Sequence, residues 1–226
     1  MEGYQETQAN VDCAIFGGTS KTPVSRAVHR LSEAGYVIVD RWNGVGMNLL
    51  RGTNRGRTAL IERGIDASRL FVPERPVAAK DLPHHMWIND VRLVLKQRGI
   101  ADATPCWALR RKLAELRPAA IPDLLAFRTS AAGATTGVLA IEVDMGTEPL
   151  KVFLPKTDLL RETLASWAGS APAVVLVLTV GSRRILAMET ALAEHRHSLP
   201  LAVLPLPKAT GRASIVALAA LLKQFS

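Results

Sequence analysis

Four side chains between residues 121 and 156 have the types and spacing to do chemistry together: Asp123, Glu142, Asp144 and Lys156. Asp123 opens one apolar run (DLLAF), Glu142 and Asp144 close another (GVLAIEVD), and Lys156 follows a Gly-Thr-Glu-Pro turn. A strand repeats every two residues, so Glu142 and Asp144 project from one face. Two acids on one strand, facing a third from its neighbour, repel unless a cation lies between them. A divalent ion with hard oxygen ligands, magnesium or manganese, is the first candidate, held by Asp123, Glu142 and Asp144. The plainer alternative is that Glu142 and Asp144 form salt bridges with Arg128 or Lys151 at a sheet edge.

For these groups to meet, the chain must fold back on itself. The two apolar runs flank a loose Ser/Ala/Gly/Thr loop, which predicts a hairpin. Ahead of it, HHMWINDVRLVLKQ reads as a helix with Met86, Ile88, Val91, Leu93, Val94 and Leu95 largely on one side and Gly99 as its stop. That helix carries Asp90, either a surface acid paired with Arg92 or Lys96 or a further member of the acidic group. His84 and His85 read as a solvated helix start. Residues 102–123 fit a strand and loop or a short helix, and periodicity does not separate them. After the hairpin come a helix with Lys156 in its first turn (PKTDLLRETLASWA), a buried strand (APAVVLVLTV), a helix (SRRILAMETALAEHR), a strand (LPLAVLPLP) and a final helix (SIVALAALLKQF). This alternation predicts an α/β domain over residues 81–226, around a central sheet.

The first third reads differently. Residues 6–16 are compatible with a short helix. Thr22 then stands as an N-cap with Pro23 at the first helical position. Val24, Ala27, Val28, Leu31 and Ala34 recur at helical spacing, Ser25, Arg26, His29 and Arg30 lie away from that stripe, and Gly35 ends the helix. YVIVDR, a turn containing Asn-Gly, and MNLLRG predict a hairpin, and TNRGRTALIERG a further helix capped by Thr53. Residues 67–80, with several prolines and no periodicity, read as a linker.

Composition sets the bounds. The chain has 226 residues, about half of them apolar, which is enough for a large core. Its two cysteines, Cys13 and Cys106, lack metal-like or disulfide-like spacing and read as reduced thiols of a cytoplasmic protein. The N-terminus carries acids and no signal-like apolar core, and the longest apolar run is well short of the roughly twenty residues of a membrane helix. No membrane partner is therefore expected. Net charge is +8, yet residues 121–170 hold four Lys/Arg against six Asp/Glu. A basic body with one acidic spot fits a nucleic-acid binder with a metal pocket.

Helix-turn-helix, hairpin and helix, carried by SKTPVSRAVHRLSEAGYVIVDR and LRGTNRGRTAL, resemble the winged helix-turn-helix superfamily. The resemblance implies that residues 1–66 bind double-stranded DNA. The second helix would offer Ser25, Arg26, His29 and Arg30 to the major groove, and Lys21 and Thr22 would meet phosphate. Arg41, Arg51, Arg55 and Arg57 would line the wing and its exit. Winged helices also dock proteins. The helix that usually precedes such a unit has little room here, so either the chain begins late or a second subunit, in a homodimer, covers the exposed face.

IPD, then IEVD, then a lysine, after a helix bearing an acid, resembles the PD-(D/E)XK nuclease-like superfamily, a restriction-endonuclease-like αβββαβ fold. That resemblance implies metal at Asp123 and Glu142, with Asp144 in place of the usual lysine of the acid-X-lysine triplet. Lys156 would serve from the following helix, orienting a water or stabilising phosphorane charge, and Asp90 would join the site. The whole arrangement, with EVDMGTEP as its most specific piece, is similar to the replication-relaxation family of plasmid mobilisation and replication proteins, which includes MobC-type relaxosome accessory proteins. Relaxase or other mobilisation proteins are the partners this implies. The expected fold is thus α/β (α+β overall), a winged helix followed by a nuclease-like domain. The expected function is duplex-DNA recognition at a mobile element. A metal-dependent nickase using Asp123, Glu142, Asp144 and Lys156, and a protein-docking scaffold, are the alternatives.

Overall fold

The computed structural model describes residues 6–7, 21–42, 47–67, 70, 72, 78, 80–97, 103–113, 118–129, 134–193, 200–206 and 220. It is a mixed α/β protein, and its described residues separate into two compact units, one running to Asp90 and the other beginning at Val91.

The first unit contains β1 (Glu6–Thr7), α1 (Lys21–Glu33), β2 (Val37–Trp42), β3 (Met47–Gly52) and α2 (Asn54–Glu62). The strands form an antiparallel sheet in the order β1-β3-β2. Val24 and Val28 of α1 pack on Leu50 of β3, so the apolar stripe turns inward as its spacing requires. At the end of α1, Gly35 takes a φ of +69°, which only glycine adopts without strain. Its N–H donates to Ser32 and that of Tyr36 to Leu31, a Schellman ending that satisfies the last carbonyls. Thr53 caps α2, its Oγ1 accepting from the Gly56 N–H at 3.0 Å and donating to the Gly35 carbonyl at 2.7 Å.

Two expectations need correcting here. Glu6 and Thr7 are extended and pair with Leu50 and Leu49, so a helix does not begin at residue 6. Helix α1 already includes Lys21, which makes Thr22 its second residue rather than its N-cap. Residues 8–20, the turn at 43–46, most of the linker, Gly99 and nearly all of the last expected helix lie outside the described residues.

Helix α3 (Leu82–Gln97) carries the division between the units. Met86, Trp87, Ile88, Asn89, Asp90 and Val91 are all buried, so this stretch is covered on every side rather than one-sided. Asp90 is 0% exposed, which removes its reading as a surface acid.

The second unit is built on a five-stranded sheet, β4-β5-β6-β7-β8. Its strands are β4 (Thr104–Pro105), β5 (Leu124–Thr129), β6 (Thr135–Asp144), β7 (Ala173–Thr179) and β8 (Leu201–Pro205). Pairing is antiparallel from β4 through β6 and parallel from β6 through β8. The ambiguous stretch is both things in turn, with β4 leading directly into α4 (Cys106–Lys112). Helices α5 (Leu150–Ala168) and α6 (Ser182–Ala193) follow β6 and β7.

Leu125, Val138, Ala140, Val175 and Val177 on one sheet face pack with Leu109 of α4, Phe153, Leu160 and Leu164 of α5, and Met188 of α6. On the opposite face Leu124, Ile141, Val143, Leu176 and Leu178 are also buried. Burial on both faces explains the near-continuous apolar sequence of β6 and β7. Among the described residues no helix is long and apolar enough to cross a membrane.

Candidate functional site

Period-2 geometry places Glu142 and Asp144 on the β6 face that holds Val138 and Ala140 in the core. Leu124 pairs with Ile141, so Asp123, one step earlier, comes up beside Glu142. Its Oδ2 accepts the Val143 N–H at 2.9 Å, and its carbonyl accepts the Cys106 N–H at 2.9 Å. The hairpin thus brings the three acids of the central segment to one end of the sheet.

Each buried acid of β6 meets its own cation. Glu142, 2% exposed, accepts the Lys156 ammonium at 2.9 Å. Lys156 lies in the second turn of α5, because the helix begins at Leu150, before Pro155, rather than at the proline. Desolvation lowers the Lys156 pKa, but Glu142, by charge and hydrogen bond, with Asp123 and Glu148 adding to it, raises it above the usual lysine value on balance.

Asp144 is engaged on both oxygens. Oδ2 accepts from Thr179 Oγ1 at 2.6 Å and Arg184 Nε at 2.9 Å; Oδ1 accepts from Arg184 Nη2 and the Gly146 N–H, both at 3.1 Å. Arg184 Nη2 also donates to the Glu148 carbonyl at 2.6 Å, and its guanidinium lies 5.9 Å from the Phe153 ring centre. The salt-bridge partners of the two acids are therefore Lys156 and Arg184; Lys151 is exposed and takes neither role.

Arg184 is the residue that sequence reasoning missed. The available signal was its position in the first turn of a helix that leaves a parallel strand, since the carboxyl ends of parallel strands are where polar sites collect. Burial, with help from Asp123, pushes the Cys106 thiol up to about 11, so it stays protonated and unreactive at neutral pH. Among the described residues no three His, Cys, Asp or Glu side chains converge as a metal-holding group. Of the three acids expected to hold a metal, Asp144 already accepts four donors on its two oxygens.

In the first unit, Ser25, Arg26, His29 and Arg30 are exposed along α1. Arg55 is exposed with its guanidinium 5.8 Å from the Tyr36 ring centre. Two other arginines are tethered: Arg51 pairs with Asp40 at 3.3 Å and Arg57 donates to the Leu70 carbonyl at 3.3 Å. The side chains of Lys21, Thr22 and Arg41 lie outside the described ones. His84 and His85 are half-buried, not solvated, and their rings meet edge to face at 5.9 Å.

No curated protein and no solved structure matches the chain. A family model does, over residues 11–166, well over half of the sequence, and a role related to plasmid replication or mobilisation is what that match suggests. The chain belongs to the Replication-relaxation family.

Proposed function

We propose that this protein is a duplex-DNA-binding accessory of a mobile element, gripping DNA through α1 and assisting mobilisation or replication without cutting the strand itself. The observation that carries this reading is the division of α1. Val24 and Val28 anchor the helix on β3 while Ser25, Arg26, His29 and Arg30 are left to solvent. A helix with that polar face, followed directly by the β2–β3 hairpin, supports reading the two as the recognition helix and wing of a winged helix-turn-helix. Arginines there meet phosphate or guanine edges, and serine and histidine add hydrogen bonds. Arg55, near the start of α2, extends the cationic surface.

The second unit supports a nuclease-like ancestry. From α3 on, the order is helix, strand β4, short helix α4, antiparallel strands β5 and β6, helix and parallel strand, which is the αβββαβ order with α4 inserted after its first strand. Its acids argue against cleavage, because Lys156 neutralises Glu142 and Arg184 neutralises Asp144. The rival reading, a metal-dependent nickase, draws on the closeness of Asp123, Glu142 and Lys156.

A mobility-shift assay with duplex from a plasmid origin, run beside a nicking assay on supercoiled plasmid with magnesium or manganese, tests both. The expected result is retarded duplex and intact supercoils. No retardation of any duplex would overturn the proposal. Nicking that disappears in Glu142→Ala would favour the rival.

A further inference from the structure

We propose that the Arg184 guanidinium holds the place of a cation at the carboxyl end of the sheet, so that this edge is ordered by the protein's own charge and not by a divalent ion. Hard oxygen donors surround the guanidinium. Nε and Nη2 donate to Oδ2 and Oδ1 of Asp144, and Nη2 donates also to the Glu148 carbonyl. Thr179 Oγ1 shares the same carboxylate at 2.6 Å. A carboxylate, a main-chain carbonyl and a hydroxyl are hard oxygen donors of the kind that bind magnesium or calcium. Here a forked, permanently charged group from α6 sits among them, matching the carboxylate with two parallel hydrogen bonds.

The position of this group has a consequence for the neighbouring site. Asp144 ends β6, Glu148 belongs to the turn before α5, Phe153 lies in the first turn of α5, and Arg184 touches all three. Lys156 follows Phe153 by three residues and reaches back to Glu142, two residues before Asp144. Arg184 therefore clamps both ends of the segment that carries Lys156 over Glu142. It is a positioning residue, acting through the turn and the start of α5. This inference uses only the second unit and does not depend on DNA binding.

The test is thermal melting and calorimetry on the full chain, with magnesium chloride, manganese chloride or a chelator, in the absence of DNA. Wild type is expected to melt at one temperature in all three and to give no binding heat. Arg184→Gln is expected to melt lower in chelator and to recover on adding magnesium or manganese, because the vacated oxygens then accept the ion. Asp144→Asn combined with Arg184→Gln, which removes the charge altogether, is expected to melt above Arg184→Gln in chelator and to ignore metal. If Arg184→Gln fails to fold without metal, its folding yield with and without magnesium gives the same comparison.

Three results would overturn the proposal. One is a wild-type melting point raised by metal and made insensitive by Asp144→Asn. Another is Arg184→Gln as stable as wild type. The third is an Arg184→Gln variant, or its folding yield, that no divalent ion improves.

Discussion

Glu142 and Asp144 leave the same strand on the same face, and the chain answers them from two different helices. The Asp144–Arg184 pair is the more enclosed, with side-chain exposures of 3% and 16%. Removing one partner of such a pair leaves a buried charge uncompensated, which costs about 3–5 kcal/mol. Arg184→Ala should therefore lose stability in that range, read by urea denaturation. Lys156→Met likewise strands a carboxylate that is 3% exposed, but Lys156 itself is 44% exposed, so water can reach the vacated place and the cost should be smaller than for Arg184→Ala.

The same ammonium gives a pH prediction. Its folded pKa is raised, so its contribution is complete below the usual lysine value and fades as pH climbs through the folded one. Wild type should lose more stability than Lys156→Met over that alkaline range, in parallel urea titrations. A cation was foreseeable from the sequence, since clustered acids demand one. Its identity was not: Arg184 lies forty residues from Asp144 and meets it only because Asp144 and Thr179 are in register across parallel strands.

At the scale of elements, the hairpin, the end of α1 and the cap of α2 were legible because they follow from local rules, whereas the Thr22 cap was not. Alternation gave β5 and β6, Gly35 ended α1, and Thr53 capped α2. The start of α5 was misread because proline normally opens a helix, whereas Pro155 sits inside this one. Helix α3 looked one-sided because Asn89 and Asp90 are polar, but burial depends on the whole surroundings, which no window of sequence contains.

Gly56 offers a sharp element-scale test. Alanine is favoured over glycine within a helix by about 1 kcal/mol. A Cβ at Gly56, however, would run into the backbone carbonyl of Tyr36, which cannot swing away as a side chain would. Gly56→Ala should destabilise the protein by about 1–3 kcal/mol despite that propensity, measured by chemical denaturation. Thr53→Ala should cost about 0.5–2 kcal/mol through the lost cap.

Across the whole molecule, strand order was only partly written in the pattern. The αβαβ alternation fixed an α/β class, but the order β4-β5-β6-β7-β8 depends on long-range pairing. The chain is basic, with net charge +8, and Arg26 and Arg30 on α1 are exposed. If those cations meet phosphate, each contact releases counterions and steepens the salt dependence of binding.

The most direct test is fluorescence anisotropy of a labelled origin duplex titrated with wild type and with Arg26→Ala/Arg30→Ala across a range of salt concentrations. Both positions are exposed, so the fold should be unaffected. The expected result is wild-type affinity that falls steeply with salt, and a double variant that binds more weakly, its log–log slope shallower by roughly 2 if both arginines contact phosphate. Equal affinity and equal slope for the two proteins would contradict the account.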